Sequence, residues 1–295
     1  MKTFLFLSAL AASLIIHESV AQEFQFPVPG QIYVPGKDIG FSKYLTKSLR
    51  NTQKVVLTFD DGPDVVKTPK LLDTLKKFNV KATFFVLTEA INAQTLPIIK
   101  RMINEGHNVA SHHQNHGNSN TKDEVVFKRE LKTSILSIAN IMEEENSLNR
   151  EVYYRFPYGN YGSSKLAYHH LNVMKDVSRE LFNDNCINFA FWDIDTVDWL
   201  QSMSSQEITE NIMSNIFGGT GYGFKDVGNG KYLKTTHKIT KPLGGGVILM
   251  HDVHERSVNA VPDLLKKFAE KGVTVVPMQE VEEFAFDGKV CRLQI

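Results

Sequence analysis

The chain has 295 residues, of which 33 are basic and 33 acidic; 42% are hydrophobic and two are cysteines. This is the composition of an ordinary globular protein, and the balanced charge argues against binding to nucleic acid or to polyanions in general. The length is sufficient for one large α/β domain. Two cysteines are too few for a disulfide scaffold or a cysteine-ligated zinc module.

The first 21 residues have the features of a secretory signal peptide. A basic start at Lys2 precedes an apolar stretch over residues 4–16, and Ser19-Val20-Ala21 has the small-x-small pattern of a signal-peptidase site. The apolar stretch is shorter than the roughly 20 residues that span a bilayer, which argues against a membrane anchor. We therefore expect cleavage near Ala21 and a secreted or periplasmic mature chain without an integral membrane segment.

The rest of the chain divides into an N-terminal arm, residues 22–53, a main domain, residues 54–284, and a C-terminal tail, residues 285–295. In the main domain, short apolar runs alternate with amphipathic stretches of helical period. The seven apolar runs are 55–59, 82–87, 107–110, 152–156, 187–194, 246–250 and 273–276. This alternation predicts parallel βαβ units, which an open doubly wound sheet and a barrel would both satisfy.

Chemically reactive side chains lie at or just after the ends of five of these runs. They are Asp60 and Asp61, His112 and His116, Arg155, Asp195 and Asp198, and His251. In a parallel barrel the carboxyl ends of all strands open onto one rim, whereas an open sheet spreads them along a line. We therefore predict an α/β fold with a distorted (β/α) barrel of parallel strands, incomplete because seven runs are present instead of eight.

Two short segments could together hold a metal ion. Asp60 and Asp61 belong to T-F-D-D-G-P, which is either an Asp-Gly turn or a carboxylate pair whose repulsion a cation would relieve. His112 and His116 are four residues apart, a spacing that places two imidazoles on one face of a helical turn, with His113 on another face. Two histidines and one carboxylate suit a catalytic zinc ion, but the same set also describes non-haem iron oxygenases.

Three further residues could have a function at the rim of the barrel, but each also has an ordinary structural explanation. Arg155 closes a buried run, where a guanidinium needs a carboxylate partner. Trp199 could face a sugar ring or an acetyl methyl group, although a tryptophan at a strand end is just as often core packing. His251 could equally be a hydrogen-bonded core histidine.

Taken in order, these segments resemble the five signature motifs of the polysaccharide deacetylases, the carbohydrate esterases with a NodB-homology domain. The motifs are T-F-D-D-G-P, H-x-x-x-H, R-F-P-Y-G, D-x-x-D-W and L-M-H-D, and the resemblance covers roughly residues 54–284. It implies an incomplete barrel, a divalent metal such as Zn²⁺ or Co²⁺, and hydrolysis of acetyl groups on sugars. His113 departs from the family, which usually has Ser or Thr there to brace the metal loop.

The resemblance also implies a role for each matched residue. Asp60 would be the general base that Arg155 orients, and Asp61, His112 and His116 would hold the metal. His251 would be the general acid, which Asp195 would position and charge, and Tyr158 would offer its backbone amide to the oxyanion. Pro157, Trp199 and Leu249 would line the acetyl pocket.

The sequence leaves the substrate open among peptidoglycan, chitin, a biofilm glucosamine polymer and acetylated xylan, so an O-acetyl esterase has the same motifs. We expect N-deacetylation of peptidoglycan, because export places the protein beside that polymer. A non-catalytic glycan-binding relative would be expected to lack the base or a ligand, and neither is missing here. The sequence predicts no oligomeric state.

Two features outside the motifs also lead to expectations. Cys186 and Cys291 could form a disulfide in an oxidising compartment, or both could be buried free thiols. Residues 218–245 are rich in glycine and aromatic residues and longer than the connection requires. We expect tight turns or a small hairpin there that climbs the side of the barrel, mainly seals it, and touches substrate only at its edge.

Overall fold

The computed structural model describes residues 46–147, 151–161, 169–284 and 291–292. The predicted signal peptide, most of the N-terminal arm and most of the C-terminal tail lie outside these residues. Within the described part of the chain, no helix is long and apolar enough to cross a membrane.

The described chain forms a parallel sheet surrounded by helices, with one separate hairpin. The strands are β1 Lys54–Asp60, β2 Thr83–Val86, β3 Asn108–Ser111, β4 Tyr153–Tyr154, β5 Asn188–Phe189, β6 Ile194–Asp195, β7 Gly219–Asp226, β8 Tyr232–Ile239, β9 Gly246–His251 and β10 Thr274–Val275. The helices are α1 Lys67–Lys77, α2 Leu96–Asn104, α3 Glu124–Glu144, α4 His169–Phe182, α5 Ser205–Phe217 and α6 Glu255–Lys271. The strand order of the main sheet is β5-β4-β3-β2-β1-β9-β6, with β10 also paired to β1, and every pairing is parallel.

The main sheet curls into an incomplete (β/α) barrel, as the sequence predicts. The apolar run 187–194 forms two strands, β5 and β6, which lie at opposite ends of the strand order. The five steps from Phe189 to Ile194 can span at most roughly 18 Å. A flat sheet of seven strands would be about 29 Å wide, so the two edge strands must approach each other.

The alternation of side chains along β1 explains how polar groups enter the barrel. Val55, Leu57 and Phe59 pack in a hydrophobic cluster with the surrounding helices. Val56 points to the other face, where it packs with residues from β2, β3 and β9. Because successive side chains of a strand alternate, Thr58 and Asp60 share the inner face with Val56.

Residues 218–245 contain the predicted hairpin, in which β7 and β8 pair antiparallel along their full length. The two strands pair with each other and join no other described strand, while Tyr222 and Phe224 pack against the hydrophobic core. That the segment mainly seals the barrel stays a prediction. The hairpin lies along α5. Tyr222 donates a hydrogen bond to Glu210 at 2.7 Å, and Lys234 lies 2.5 Å from Glu207.

The C-terminal segment is attached to the barrel by a disulfide between Cys186 and Cys291. The backbone N–H of Cys291 also donates to the carbonyl of Cys186, and the N–H of Val152 donates to the carbonyl of Cys291. Of the two possibilities that the sequence left open, the structure therefore contains the disulfide.

Candidate active site

Three potential metal ligands meet at the carboxyl ends of β1 and β3. One atom from each of Asp61, His112 and His116 lies within 4.8 Å of the others. The Nε2 atoms of both histidines are 3.4 Å from Oδ1 of Asp61. That oxygen is buried and has no hydrogen-bond partner among the described residues. An orphaned buried carboxylate oxygen facing two imidazole nitrogens fits a bound divalent cation.

The histidines reach this arrangement without the helical turn that their spacing predicts. The chain from His112 to His116 is irregular, and His113 between them has a left-handed backbone with a φ of 76°. A left-handed residue interrupts a right-handed helical path, so the helical interpretation of this segment is wrong. The two imidazole rings nevertheless lie 5.2 Å apart.

The orientation and charge state of His112 also suit a ligand. Its Nδ1 lies 2.9 Å from the backbone carbonyl of Arg155, which leaves Nε2 directed at Asp61. Burial, together with the nearby His116 and Arg155, lowers the pKa of His112 well below its usual value. A neutral imidazole whose other nitrogen is held by a carbonyl is the form that binds metals.

His113 is fully buried and both of its ring nitrogens have partners. Nε2 lies 3.0 Å from Glu130, and Nδ1 lies 3.1 Å from the hydroxyl of Tyr154. Burial lowers the pKa of His113 to about 4, so the ring is neutral and donates to Glu130 while it accepts from Tyr154. His113 therefore braces the loop from behind and does not compete for the metal.

Asp60 lies beside the three ligands and is held by Arg155. Nη1 of Arg155 donates to Oδ1 of Asp60 at 2.7 Å and to the hydroxyl of Thr58 at 2.7 Å, while the rest of the guanidinium donates to the carbonyls of Ala190 and Phe191. Burial raises the pKa of Asp60 to about 6, although the Arg155 charge opposes this rise. These bonds fix one oxygen of Asp60 and leave Oδ2 directed toward His112, at 3.7 Å.

The carboxylate that contacts His251 is Asp198, which corrects the sequence-based assignment to Asp195. Oδ1 of Asp198 is 2.7 Å from Nδ1 of His251, and Oδ2 accepts the N–H of His251 at 2.8 Å. Asp195 instead accepts the N–H of Val197. Val197 has a left-handed φ of 58°, which is costly for a β-branched residue, and this reversal of the chain directs Asp198 toward His251.

The pKa of His251 is set by this contact. Burial alone would lower it, but the carboxylate of Asp198, and to a lesser extent those of Asp61 and Asp60, raise the pKa to about 10. The ring is thus an imidazolium at neutral pH, with Nδ1 engaged by Asp198 and Nε2 left for a second partner.

These groups surround one cleft of about 220 Å³. Its lining residues are Asp60, Asp61, His112, His116, Phe156, Tyr158, Trp192, Asp195, Trp199, Tyr232, Leu249 and His251. Trp199 and Leu249 line it as predicted. Pro157 is not among the lining residues; it is buried in the short turn that presents Tyr158. Trp192 and Tyr232 were not predicted to line it, since neither belongs to the matched motifs.

Comparison with known proteins identifies the family. A family model described as polysaccharide deacetylase matches residues 47–175. The putative polysaccharide deacetylase YheN of Bacillus subtilis is 31% identical over 249 residues, which cover 80% of this chain and 73% of YheN. The chain belongs to the polysaccharide deacetylase family.

Other polysaccharide deacetylases share shorter segments or the fold. A peptidoglycan-N-acetylglucosamine deacetylase of Bacillus cereus is 36% identical over 176 residues, covering 58% of this chain and 54% of the relative. A solved peptidoglycan N-acetylglucosamine deacetylase is 27% identical with a TM-score of 0.56, covering 80% of this chain and 90% of the solved one. The chain spans only about half the length of several curated relatives, including 47% of a Listeria monocytogenes homologue.

Proposed function

We propose that this member of the polysaccharide deacetylase family hydrolyses N-acetyl groups on an N-acetylglucosamine-containing polysaccharide, in a metal-dependent reaction. The observation that carries the proposal is one cleft that brings together the Arg155–Asp60 pair, a three-residue ligand set and the imidazolium of His251. Hydrolysis of an amide requires removal of a proton from water, stabilisation of an oxyanion, and a proton for the departing amine.

The ligand set supports a catalytic zinc ion, because two histidines and a carboxylate leave coordination positions for other molecules. A divalent cation such as Zn²⁺ or Co²⁺ held by Asp61, His112 and His116 would polarise the acetyl carbonyl and lower the pKa of a bound water. Non-haem iron oxygenases use the same donor types, so metal analysis of the purified protein separates the two possibilities. Iron without zinc would contradict the proposal.

The other residues each supply one requirement of the reaction. Asp60 accepts the proton of the attacking water, and Arg155 keeps Asp60 ionised and oriented. His251 donates a proton from Nε2 to the departing amine, and Asp198 keeps that imidazole charged and correctly turned. The backbone amide of Tyr158, at the cleft wall, would donate to the developing oxyanion.

We propose peptidoglycan as the preferred substrate. Two similar proteins support this choice. The Bacillus cereus relative and the solved structure are both peptidoglycan N-acetylglucosamine deacetylases. Export through the segment 1–21 would place the protein beside that polymer. The Cys186–Cys291 disulfide supports export, because disulfides persist mainly in oxidising compartments.

Acetate release from four polymers tests this proposal. The purified protein is given peptidoglycan, chitin, a partly acetylated glucosamine polymer and acetylated xylan, and free acetate is measured over time. We expect release from the N-acetylated polymers, fastest from peptidoglycan. Release from xylan alone would indicate an O-acetyl esterase, and no release from any polymer by metal-loaded protein would indicate a glycan-binding relative.

A further inference from the structure

The hairpin formed by β7 and β8 reaches the rim of the catalytic cleft. The bonds from Tyr222 to Glu210 and from Lys234 to Glu207 follow α5 from its middle toward its N-terminal end. Lys234 also donates to the carbonyl of Ser202, in the loop that precedes α5. Beyond that point the hairpin continues to Tyr232, which is one of the residues that line the cleft.

At the rim, the hairpin joins Trp199 in an aromatic cluster. The ring of Trp199 lies 4.7 Å from that of Phe224 and 5.2 Å from that of Tyr232, and the latter two lie 5.5 Å apart. All three contacts are edge-to-face, which is a favourable geometry for aromatic pairs. The cluster fixes the position of Tyr232, because two rings restrain it from the side.

Tyr232 is nevertheless poorly covered. It is 40% exposed, whereas Phe224 packs against the hydrophobic core and is only partly exposed. Tyr222 and Phe224 therefore pack the hairpin onto the domain, and that packing does not require an aromatic residue at position 232. A restrained aromatic ring that is left open beside a cleft is typical of a ligand-binding surface.

The cleft is too small to hold more than a short part of a polymer. Its volume of about 220 Å³ lies below the roughly 300–1,000 Å³ of common small-molecule sites. A glycan with one acetyl group at His251 and the metal ligands must therefore continue over the rim. Tyr232 lines the cleft and extends the wall that begins at Trp199.

We propose that Tyr232 forms an additional sugar-binding subsite, in which its ring stacks on the sugar next to the one being deacetylated. This inference rests on the proposed function, since it assigns the substrate of the same cleft to an extended acetylated glycan. The hairpin thereby makes the protein prefer long chains over single sugars.

The test compares Tyr232→Ala with wild-type protein on an N-acetylglucosamine pentamer and on a small activated acetyl ester. Because an aromatic contact contributes about 0.5–1.5 kcal/mol, we expect KM for the pentamer to rise about two- to tenfold while kcat changes little. The small ester does not reach the subsite, so its KM should rise less than KM for the pentamer does. Tyr232→Phe keeps the ring and should behave like wild type.

Leu233→Ala is the matched control, because Leu233 is the next residue of β8, is 58% exposed and points to the opposite face of the hairpin. It should leave KM for the pentamer unchanged. Tyr232→Thr, which retains a good strand former, repeats the test if the alanine variant unfolds. An unchanged KM in folded Tyr232→Ala or Tyr232→Thr, or an equal rise in Leu233→Ala, would overturn the proposal.

Failure of the subsite and failure of the proposed function give different results. If wild-type protein releases acetate from the pentamer but Tyr232→Ala and Tyr232→Thr have the wild-type KM, only the subsite is wrong. If wild-type protein releases no acetate, the proposed function is wrong. Pentamer binding, followed by tryptophan fluorescence in wild type and Tyr232→Ala, then decides the subsite, and equal affinities would overturn it.

Discussion

Asp198 holds His251 through both carboxylate oxygens, one on the ring Nδ1 at 2.7 Å and one on the backbone N–H at 2.8 Å. The second oxygen also accepts the hydroxyl of Ser257. Asp198 is completely buried, and these donors hold its pKa below the usual value although burial alone would raise it. The ionised Asp198 therefore keeps His251 protonated, which is the state that a general acid needs at neutral pH.

Replacement of Asp198 should shift the pH dependence of activity. In Asp198→Asn, the loss of the carboxylate lets burial lower the pKa of His251 from about 10 toward or below its ordinary value. The reaction needs the protonated ring, so activity should decline from a lower pH in the variant. At pH 8 we expect a loss of about tenfold or more relative to the variant's own maximum, measured as kcat/KM for acetate release.

Asp195→Asn is the control for this shift. Asp195 lines the same cleft and its carboxylate accepts the N–H of Val197, whereas Asp198 accepts both the backbone N–H and the ring Nδ1–H of His251. The alkaline decline of Asp195→Asn should therefore begin at the wild-type pH. If the alkaline limb moved in Asp195→Asn and stayed in place in Asp198→Asn, Asp195 would be the partner of His251 after all.

The two adjacent aspartates should have separable roles. Asp60→Asn should abolish acetate release while the metal content stays near that of wild type, because Asp60 exchanges a proton and Asp61 provides the ligand. Asp61→Asn should lose the metal. Metal content by mass spectrometry and acetate release are measured on the same preparations, and metal loss confined to Asp60→Asn would reverse the assignment.

Arg155 should contribute strongly to stability as well as to the site. Arg155→Met leaves Asp60 buried without its partner and removes the donors to the carbonyls of Ala190 and Phe191. Breaking a buried pair in this way costs about 3–5 kcal/mol. The free energy of unfolding, measured with denaturant, should fall by that amount.

The exposed pair between Lys267 and Asp263 provides the comparison. Lys267→Met should cost at most about 1 kcal/mol, because exposed ion pairs are screened by solvent. If Lys267→Met and Arg155→Met lowered the free energy of unfolding equally, the buried Arg155–Asp60 pair would contribute no more to stability than an exposed pair.

The disulfide should be detectable and stabilising. Alkylation of unfolded protein without reductant should modify neither Cys186 nor Cys291, as measured by mass. Reduction should lower the free energy of unfolding by about 2–5 kcal/mol. A Cys186→Ser, Cys291→Ser double variant should not respond to reductant, and two alkylated cysteines in wild type would refute the bridge.

The sequence predicts the barrel and the location of the site because both depend on local patterns. Apolar runs ending at Asp60, at His112 and at His251 place these residues on one rim once the strands are parallel. The division of the run 187–194 into β5 and β6 is not visible in the sequence. The apolar character continues across it, and only closure of the sheet separates the two strands.

The errors arise where a single backbone angle redirects the chain. His113 and Val197 both have left-handed backbones, which are uncommon for residues other than glycine and costly for a β-branched residue such as Val197. The left-handed His113 prevents a helical turn from His112 to His116. The left-handed Val197 directs the carboxylate of Asp198 toward the ring of His251. The position of Tyr232 at the cleft cannot be predicted from the sequence for another reason. It depends on how far the hairpin extends along α5.

Chelation and metal restoration test the central claim, a metal-dependent N-deacetylase, most directly. Protein stripped with a chelator is titrated with Zn²⁺ while acetate release from the N-acetylglucosamine pentamer is followed. We predict that the stripped protein is inactive and that activity returns in proportion to zinc, up to one ion per chain. Full activity of the stripped protein, or zinc bound by Asp61, His112 and His116 with no acetate released, would contradict the account.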